Sequence, residues 1–297
     1  GDINNDPLDE SGHGTFIAGI IAGAVNDYGI TGTAPGVKLM ALKVENSEKE
    51  IYLNRIISAV NYGLSHNVKI FNLSFVSTHY SIELENLLEA ADAIFICGAG
   101  NDTINNDITP HYPASYNLDN IISVTSINSN GQLSWFSNYG PTSVHIAAPG
   151  ENIISTYVPS GYHYHAIGQG TSFAAPYVAG VAALLLSKDP NLTPQEIRTA
   201  ILSSVKTLAS LDGVITTGGI LDSYAAYTYY DPHNVLGDLN GDDLVTLSDL
   251  IILRRHLAEI ELINELYLNN ADVNGDGFIT LSDLIKLRRY LAGLEDL

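Results

Sequence analysis

Small and apolar residues fill Phe16 to Ala24 without a break, directly after the turn-forming stretch Ser11-Gly12-His13-Gly14-Thr15. That pattern predicts a buried helix opening at a glycine turn. Apolar residues recur at helical spacing from Leu53 to Leu64 and from Ser81 to Ala91, predicting two more helices. Short apolar runs at Val37 to Val44, Lys69 to Phe75 and Ala93 to Ala99 predict strands between them. Strands alternating with helices imply an α/β class with a doubly wound parallel sheet, whose functional loops gather at the carboxyl ends of the strands. Val178 to Leu186 is strongly apolar but short, and reads as a buried helix. No apolar run reaches the roughly 18 residues of a membrane span, so the chain is expected to be soluble.

From Tyr224 the pattern dissolves into Tyr, Pro, His and Asn. The expected organisation is a domain at 1–228, a linker at 229–234 and a small all-α module at 235–297. The module is an internal repeat. Asp238 to Asp249 recurs 34 residues later as Asp272 to Asp283, and each copy leads into a helix with leucines at helical spacing. Leu250, Leu253 and Leu257 line the first helix, and Leu284, Leu287 and Leu291 the second. Two units are too few for a solenoid and predict a pair of helices packed together.

Charge sharpens this picture. Thirteen basic against 33 acidic residues give a net charge of −20, which argues against a nucleic-acid partner. Residues 231–297 hold thirteen of the acids and five of the bases, which suits cation binding or disorder. In each repeat, oxygen-bearing groups stand at loop positions one, three, five, seven, nine and twelve, the spacing that wraps a calcium ion. The candidate ligands are Asp238, Asn240, Asp242, Leu244, Thr246 and Asp249, then Asp272, Asn274, Asp276, Phe278, Thr280 and Asp283, with Leu244 and Phe278 contributing carbonyls. Asp243 stands where the first loop prefers glycine for a sharp turn, and predicts a weaker first site. The single cysteine, Cys97, sits in an apolar strand and reads as a core residue.

Three motifs in the larger domain bear on chemistry. They are Gly12-His13-Gly14-Thr15, Gly98-Ala99-Gly100-Asn101, and Gly170-Thr171-Ser172-Phe173-Ala174-Ala175-Pro176 at the start of a small-residue helix. Acyl transfer needs a nucleophile, a base and donors for the developing oxyanion. Ser172, His13 and Asn101 supply those three types. Each motif alone is weak, since a serine at a helix start is usually a cap and Gly-Asn usually a turn. Their joint presence in an α/β chain carries the reading.

Those motifs, with Gly32-Thr33-Ala34-Pro35, Asn72-Leu73-Ser74, Tyr112-Pro113-Ala114 and Ala148-Pro149-Gly150, resemble the subtilisin-like serine proteases from about Asp9 to Leu186. The resemblance implies catalytic roles for His13 and Ser172 and an oxyanion role for Asn101. It also implies substrate contacts at Ser74, Phe75, Gly98, Ala99 and Gly100. The family's catalytic aspartate closes a strand some thirty or more residues ahead of the histidine, whereas only twelve residues precede His13. Asp2, Asp6 and Asp9 lie in a polar loop, and Asp9 resembles a loop acid found ahead of the histidine motif. No triad aspartate is assigned, and the chain as it stands is expected to be a feeble protease or none. Gly1 in place of Met reads as a beginning trimmed by processing or by choice of fragment. Phe173 replaces the usual Met, Val76 the usual Gly, and Asn26 to Ile30 is shorter than the family's calcium loop.

The repeat, with aspartate at both twelfth positions and Arg-Arg following, resembles type I dockerins. That implies two calcium ions and a cohesin partner on a scaffold protein, contacted through Leu247, Ser248, Arg254, Arg255, Leu281, Ser282, Arg288 and Arg289. Together the resemblances imply a secreted endopeptidase acting on polypeptides in an extracellular or cell-surface cellulosome. The rivals are a catalytically inactive protease-like interaction protein on the same dock, and a serine hydrolase of another fold. The absence of a Gly-x-Ser-x-Gly elbow argues against the latter.

Overall fold

The structure, a computed structural model, describes residues 8–46, 48, 50–160, 163–230 and 235–297. Asp2, Asp6 and linker residues 231–234 lie outside the described residues. The chain divides into two compact units, Gly1–Tyr227 and Thr228–Leu297.

In the first unit a six-stranded sheet runs in the order β1 (Ile70–Leu73), β2 (Ile94–Gly98), β3 (Ile121–Ile127), β4 (Ile146–Pro149), β8 (Gly219–Ile220), β7 (Lys206–Thr207). All pairs are parallel except β7 with β8. The period of two along β2 explains its continuous apolar run. Phe95 and Cys97 face a cluster with Ile56 and Val60 of α2 (Leu53–Ser65) and Leu84 and Leu88 of α3 (Ile82–Glu89). Helix α4 (Thr171–Lys188) contributes nothing to that cluster and instead contacts β1 to β4, so helices cover both faces. Helix α1 (His13–Ala22) packs on α4 and on β5 (Ile153–Ser160), which pairs with β6 (His163–Gly168) in a separate antiparallel ribbon. Gly180 of α4 lets Thr33, whose N–H donates to the Ile20 carbonyl of α1, pack closely: a Cβ there would stand 2.6 Å from that of Thr33. Helix α5 (Pro194–Ser203) and the short α6 (Ser223–Thr228) follow, the latter where the sequence pattern had dissolved.

Two expectations are corrected. Val37 to Val44 is not a strand. A strand needs a ladder, and between Lys38 and Val44 no backbone ladder bond forms. The segment and strand β1 line a shared cavity of about 970 Å³, and Leu39 and Met40, which also line it, are exposed. Second, α4 has 18 residues with a mean hydropathy of 1.2, so a helix of membrane-spanning length and composition does exist. It is 56% buried, in keeping with a core helix. Cys97 is fully buried, and burial pushes its thiol pKa up, as a core residue requires.

The second unit consists of α7 (Leu247–Leu257), a 3-10 turn at Glu265–Ala271 and α8 (Leu281–Leu291). Leu253 and Leu287 are fully buried between the helices with Leu239, Ile263, Ala271 and Val273. Leu250, Leu257, Leu284 and Leu291 pack around them.

Two polar groups packed into the first unit yield predictions. Asn120 is buried, and its Nδ2 donates to the carbonyls of Leu88 (2.7 Å), Ala93 (3.1 Å) and Ala91 (3.3 Å), fixing the α3–β2 turn against β3. Asn120→Ala should cost about 2 kcal/mol, the scale of leaving buried carbonyls unpaired, read as a lower urea midpoint of this unit. His145 accepts from the Ser123 N–H at 2.9 Å. Burial, with Arg198 adding to it, depresses its pKa to about 4 from 6.5. The unfolded chain therefore binds the proton first. This contribution should be complete above pH 6.5 and decline as pH falls toward 4, and His145→Gln should remove that part of the acid slope.

Candidate functional site

Local chain chemistry sets up two helix starts. Gly12 takes a left-handed φ of 84° and packs against the Tyr157 ring, where a Cβ would clash. Asp9 organises the turn: its Oδ1 accepts from the Ser11 and Gly12 N–H groups (3.0 and 2.8 Å), and its Oδ2 from the Thr15 N–H and hydroxyl (both 2.7 Å). Burial works against its charge, but these donors outweigh it and hold its pKa down to about 2. His13 is then the first residue of α1. It is exposed at the surface of a crowded cleft whose walls lower its pKa, while Glu45 and then Asp9 oppose that shift. Among the described residues no carboxylate accepts a hydrogen bond from its ring.

Ser172 is the second residue of α4, after Gly170 at φ 150°. Its hydroxyl donates to the Ser74 carbonyl at 3.3 Å, and the Ser74 hydroxyl donates back to the Ser172 carbonyl at 2.9 Å. His13 and Ser172 share the site through Phe173, whose ring centre lies 5.6 Å from that of His13 and 4.2 Å from that of Phe16. Phe173 thus fills an apolar seat, and no hydrogen bond joins His13 to Ser172. Apo geometry of this kind is often loose.

Asn101 follows β2. Its Oδ1 accepts from the Thr171 N–H (2.9 Å) and hydroxyl (3.1 Å). That fixes the amide orientation and leaves Nδ2 free to donate. A Cβ on Gly170 would be 3.7 Å from both Asn101 Nδ2 and the Ser172 backbone N. Asn101 Oδ1 lies 3.8 Å from the same point, so the Asn101 amide and the Ser172 backbone N approach Gly170 from one side. Gly98, Ala99 and Gly100 are buried behind it, with the Gly100 N–H donating to the Thr171 hydroxyl at 3.1 Å. Ser74 and Phe75 are half-buried just beyond β1, and Val76 is exposed.

Sequence reading missed Thr171 as the hinge of these contacts and Asn138 as their clamp. The fully buried Asn138 side chain accepts from the Asp102 N–H (2.8 Å) and donates to Ala99 O (3.2 Å) and Asn106 Oδ1 (3.0 Å). Thr171 was visible as the neighbour of Ser172. Asn138 left no local signal, because its partners lie more than thirty residues away.

The two loops of the second unit repeat one geometry. Asp238 accepts from the Gly241 and Asp243 N–H groups at 2.8 Å each, and Asp272 from those of Gly275 (2.9 Å) and Gly277 (2.8 Å). Asp249 and Asp283 accept from the Thr246 and Thr280 N–H groups at 2.8 Å, completing capping boxes at the starts of α7 and α8. Asn240, Asp242, Asn274 and Asp276 fold back onto the same loops through short-range bonds. Among the described residues no three acidic or histidine side chains draw together as a metal cage. The donor set nevertheless fits a hard cation. Asp238, Asp249 and Asp283 are fully buried carboxylates, a costly placement that a cation would offset. Asp243 takes a left-handed φ of 62° and Gly277 one of 86°, so both loops make the turn. Leu247, Ser248, Arg254 and Arg255 are exposed, as are Leu281, Ser282, Arg288 and Arg289. Arg255 pairs with Glu261 at 2.9 Å and Arg289 with Glu295 at 2.8 Å.

Comparison with known proteins matches residues 1–226 to the subtilase family and residues 236–292 to the dockerin type I domain. Subtilisin DY of Bacillus licheniformis is 34% identical over 204 residues, covering 67% of this chain and 72% of that protein. The thermostable alkaline protease of Halalkalibacterium halodurans is 37% identical, covering 70% and 56%. Subtilisin-like protease 2 of Plasmodium falciparum is 40% identical over 188 residues, 61% of this chain but 14% of that protein. The chain thus spans well under two thirds of some of the curated relatives it matches. Among solved structures, proteases from Pseudoalteromonas arctica align with a TM-score of 0.64 at 28% identity, covering 73% of this chain and 70% of theirs. MycP1 with its N-terminal propeptide removed aligns equally, covering 77% and 83%. The chain belongs to the subtilase family and carries a dockerin type I domain after its subtilase unit.

Proposed function

We propose that the first unit is a serine endopeptidase domain and that the second holds it, through two calcium ions, to a cohesin-bearing scaffold of a secreted or cell-surface cellulosome. The observation that carries the first half is the Asn101 amide held against the helix start that bears Ser172: its Oδ1 accepts from the Thr171 N–H, and its Nδ2 and the Ser172 N each lie 3.7 Å from one point at Gly170. In this reading Ser172 Oγ attacks a peptide carbonyl carbon and His13 takes the hydroxyl proton. The carbonyl oxygen becomes an oxyanion held by the two donors. His13 then protonates the leaving amine, and water releases the acyl group by the same steps. Ser74 and Phe75 would hold the extended substrate backbone, with Gly98 to Gly100 walling the pocket for the residue before the scissile bond. The carboxylate that orients His13 comes, in this reading, from outside the described residues.

The lack of a described acid on His13 favours the second reading, a protease-like interaction protein on the same dock. Activity separates the two. In the full-length protein Ser172→Ala and His13→Ala should abolish peptide cleavage. Asn101→Ala should lower kcat about 100-fold or more with a smaller change in KM. Unchanged kcat for Asn101→Ala would remove the oxyanion role, and no cleavage by the unsubstituted protein would favour the interaction protein.

Residues Asp238, Asn240, Asp242, Thr246 and Asp249 with the Leu244 carbonyl, and the matching Asp272 to Asp283 set, would hold the two ions. The dockerin domain is of a calcium-binding family; bound calcium neutralises the loop carboxylates and couples metal to folding. Leu247, Ser248, Arg254 and Arg255, or their counterparts in the second repeat, would meet the cohesin. Chelator should therefore lower the helicity of the chain, and calcium should restore it. Calorimetric titration should show a greater loss of affinity for Asp272→Ala than for Asp238→Ala, because Gly277 takes its positive φ without the strain of Asp243. Equal losses would remove that ranking, and helicity indifferent to chelator would remove the coupling.

A further inference from the structure

Among the described residues strand β1 is the sheet edge: β2 pairs along one side, and the segment holding Glu45 lines the cavity on the other. His13, Glu45, Ser74 and Phe75 line that same cavity. Glu45 is held in place by an antiparallel bridge to Ile51, reinforced by the Asn46 N–H donating to the Glu50 carbonyl at 2.9 Å. The nearest base along the chain, Lys43, is already taken by Glu10 at 3.1 Å and the Leu8 carbonyl at 3.0 Å. Asp9 is saturated by its loop donors. Among the described residues Glu45 has neither a hydrogen-bond nor an ion-pair partner through its carboxylate, and it is only half-buried. It is also the first of the two acids that bear on the His13 imidazole, ahead of Asp9. The cleft thus presents one uncommitted negative charge beside the general base.

An extended peptide along Ser74 and Phe75 points successive side chains to opposite sides. If the residue before the scissile bond turns to the Gly98–Gly100 wall beyond β1, the one preceding it turns to the wall that carries His13 and Glu45. We propose that Glu45 selects a lysine or arginine at the substrate position two residues before the scissile bond. This rests on the endopeptidase reading for the position of the peptide, though the charge at the site stands without it. A carboxylate facing a cation there forms a charge-assisted hydrogen bond, enough for about tenfold discrimination against an apolar side chain.

The test uses the full chain in two arms. In the first, Ser172→Ala protein binds fluorescent peptides that differ only in Lys, Leu or Glu at that position, measured by anisotropy at low salt. The Lys peptide should bind about tenfold more tightly than the Leu peptide. Glu45→Gln should erase the preference, and Glu45→Lys should turn it toward the Glu peptide. Equal binding of the Lys and Leu peptides, a preference that survives Glu45→Gln, or binding of no peptide would overturn the proposal. In the second arm, protein with Ser172 intact is assayed for cleavage of the same peptides. Binding with the expected preference but no hydrolysis would remove the endopeptidase reading and leave the Glu45 site standing. Hydrolysis of the Lys and Leu peptides with the same kcat/KM would do the reverse.

Discussion

The start of α4 is clasped to the ends of three strands, and the geometry of the first unit follows from that clasp. Past β4, the Gly150 carbonyl accepts from the Gly170 N–H at 2.8 Å. Past β2, the Thr171 hydroxyl accepts from Gly100 and donates to Asn101. Past β1, Ser74 and Ser172 exchange bonds. A parallel sheet exposes its strand ends along one edge, where loops meet the helix that crosses them. Here one turn of one helix is held by three strands at once. Ser172 therefore inherits its position from the sheet and does not depend on a flexible loop.

How legible this was depended on the range of the interactions. Helix α2 was read at nearly its observed bounds because its apolar stripe is a local property of Leu53 to Ser65. The two loops of the second unit were equally plain, since each Asp-led hydrogen-bond set closes within twelve residues. Val37 to Val44 failed for the opposite reason. Its composition suits a strand, but strand identity belongs to a pair, and it lines a cavity with β1 without pairing to it. The candidate site residues His13, Asn101 and Ser172 were visible as motifs. The Asn138 clamp and the Glu45 charge were not, because a single asparagine or glutamate carries no signature until its surroundings are known.

The helix starts divide by how they treat their free N–H groups. At α7 and α8, Thr246 and Thr280 form capping boxes with Asp249 and Asp283, so the helices are closed by the residues proposed as metal ligands. Helix α5 is closed in the same way by Thr193 and Glu196. Helices α1 and α4 instead begin at glycines, with no side-chain cap from the N-cap residue. At α1 the shortfall is met by Asp9 from outside the helix. At α4 the Thr171 N–H is met by Asn101, while the Ser172 N–H has no hydrogen-bond acceptor among the described residues. A cap contributes about 1 kcal/mol, so leaving it off is a measurable loss of stability. Helix α2 also lacks a side-chain cap, and at α4 the N–H left free is that of the candidate nucleophile itself. In the proposed mechanism an acceptor supplied by the protein would compete there with the oxyanion for the same N–H. The clasp by three strands offsets the missing cap, and a donor that is rigidly held yet unfilled is what oxyanion stabilisation requires.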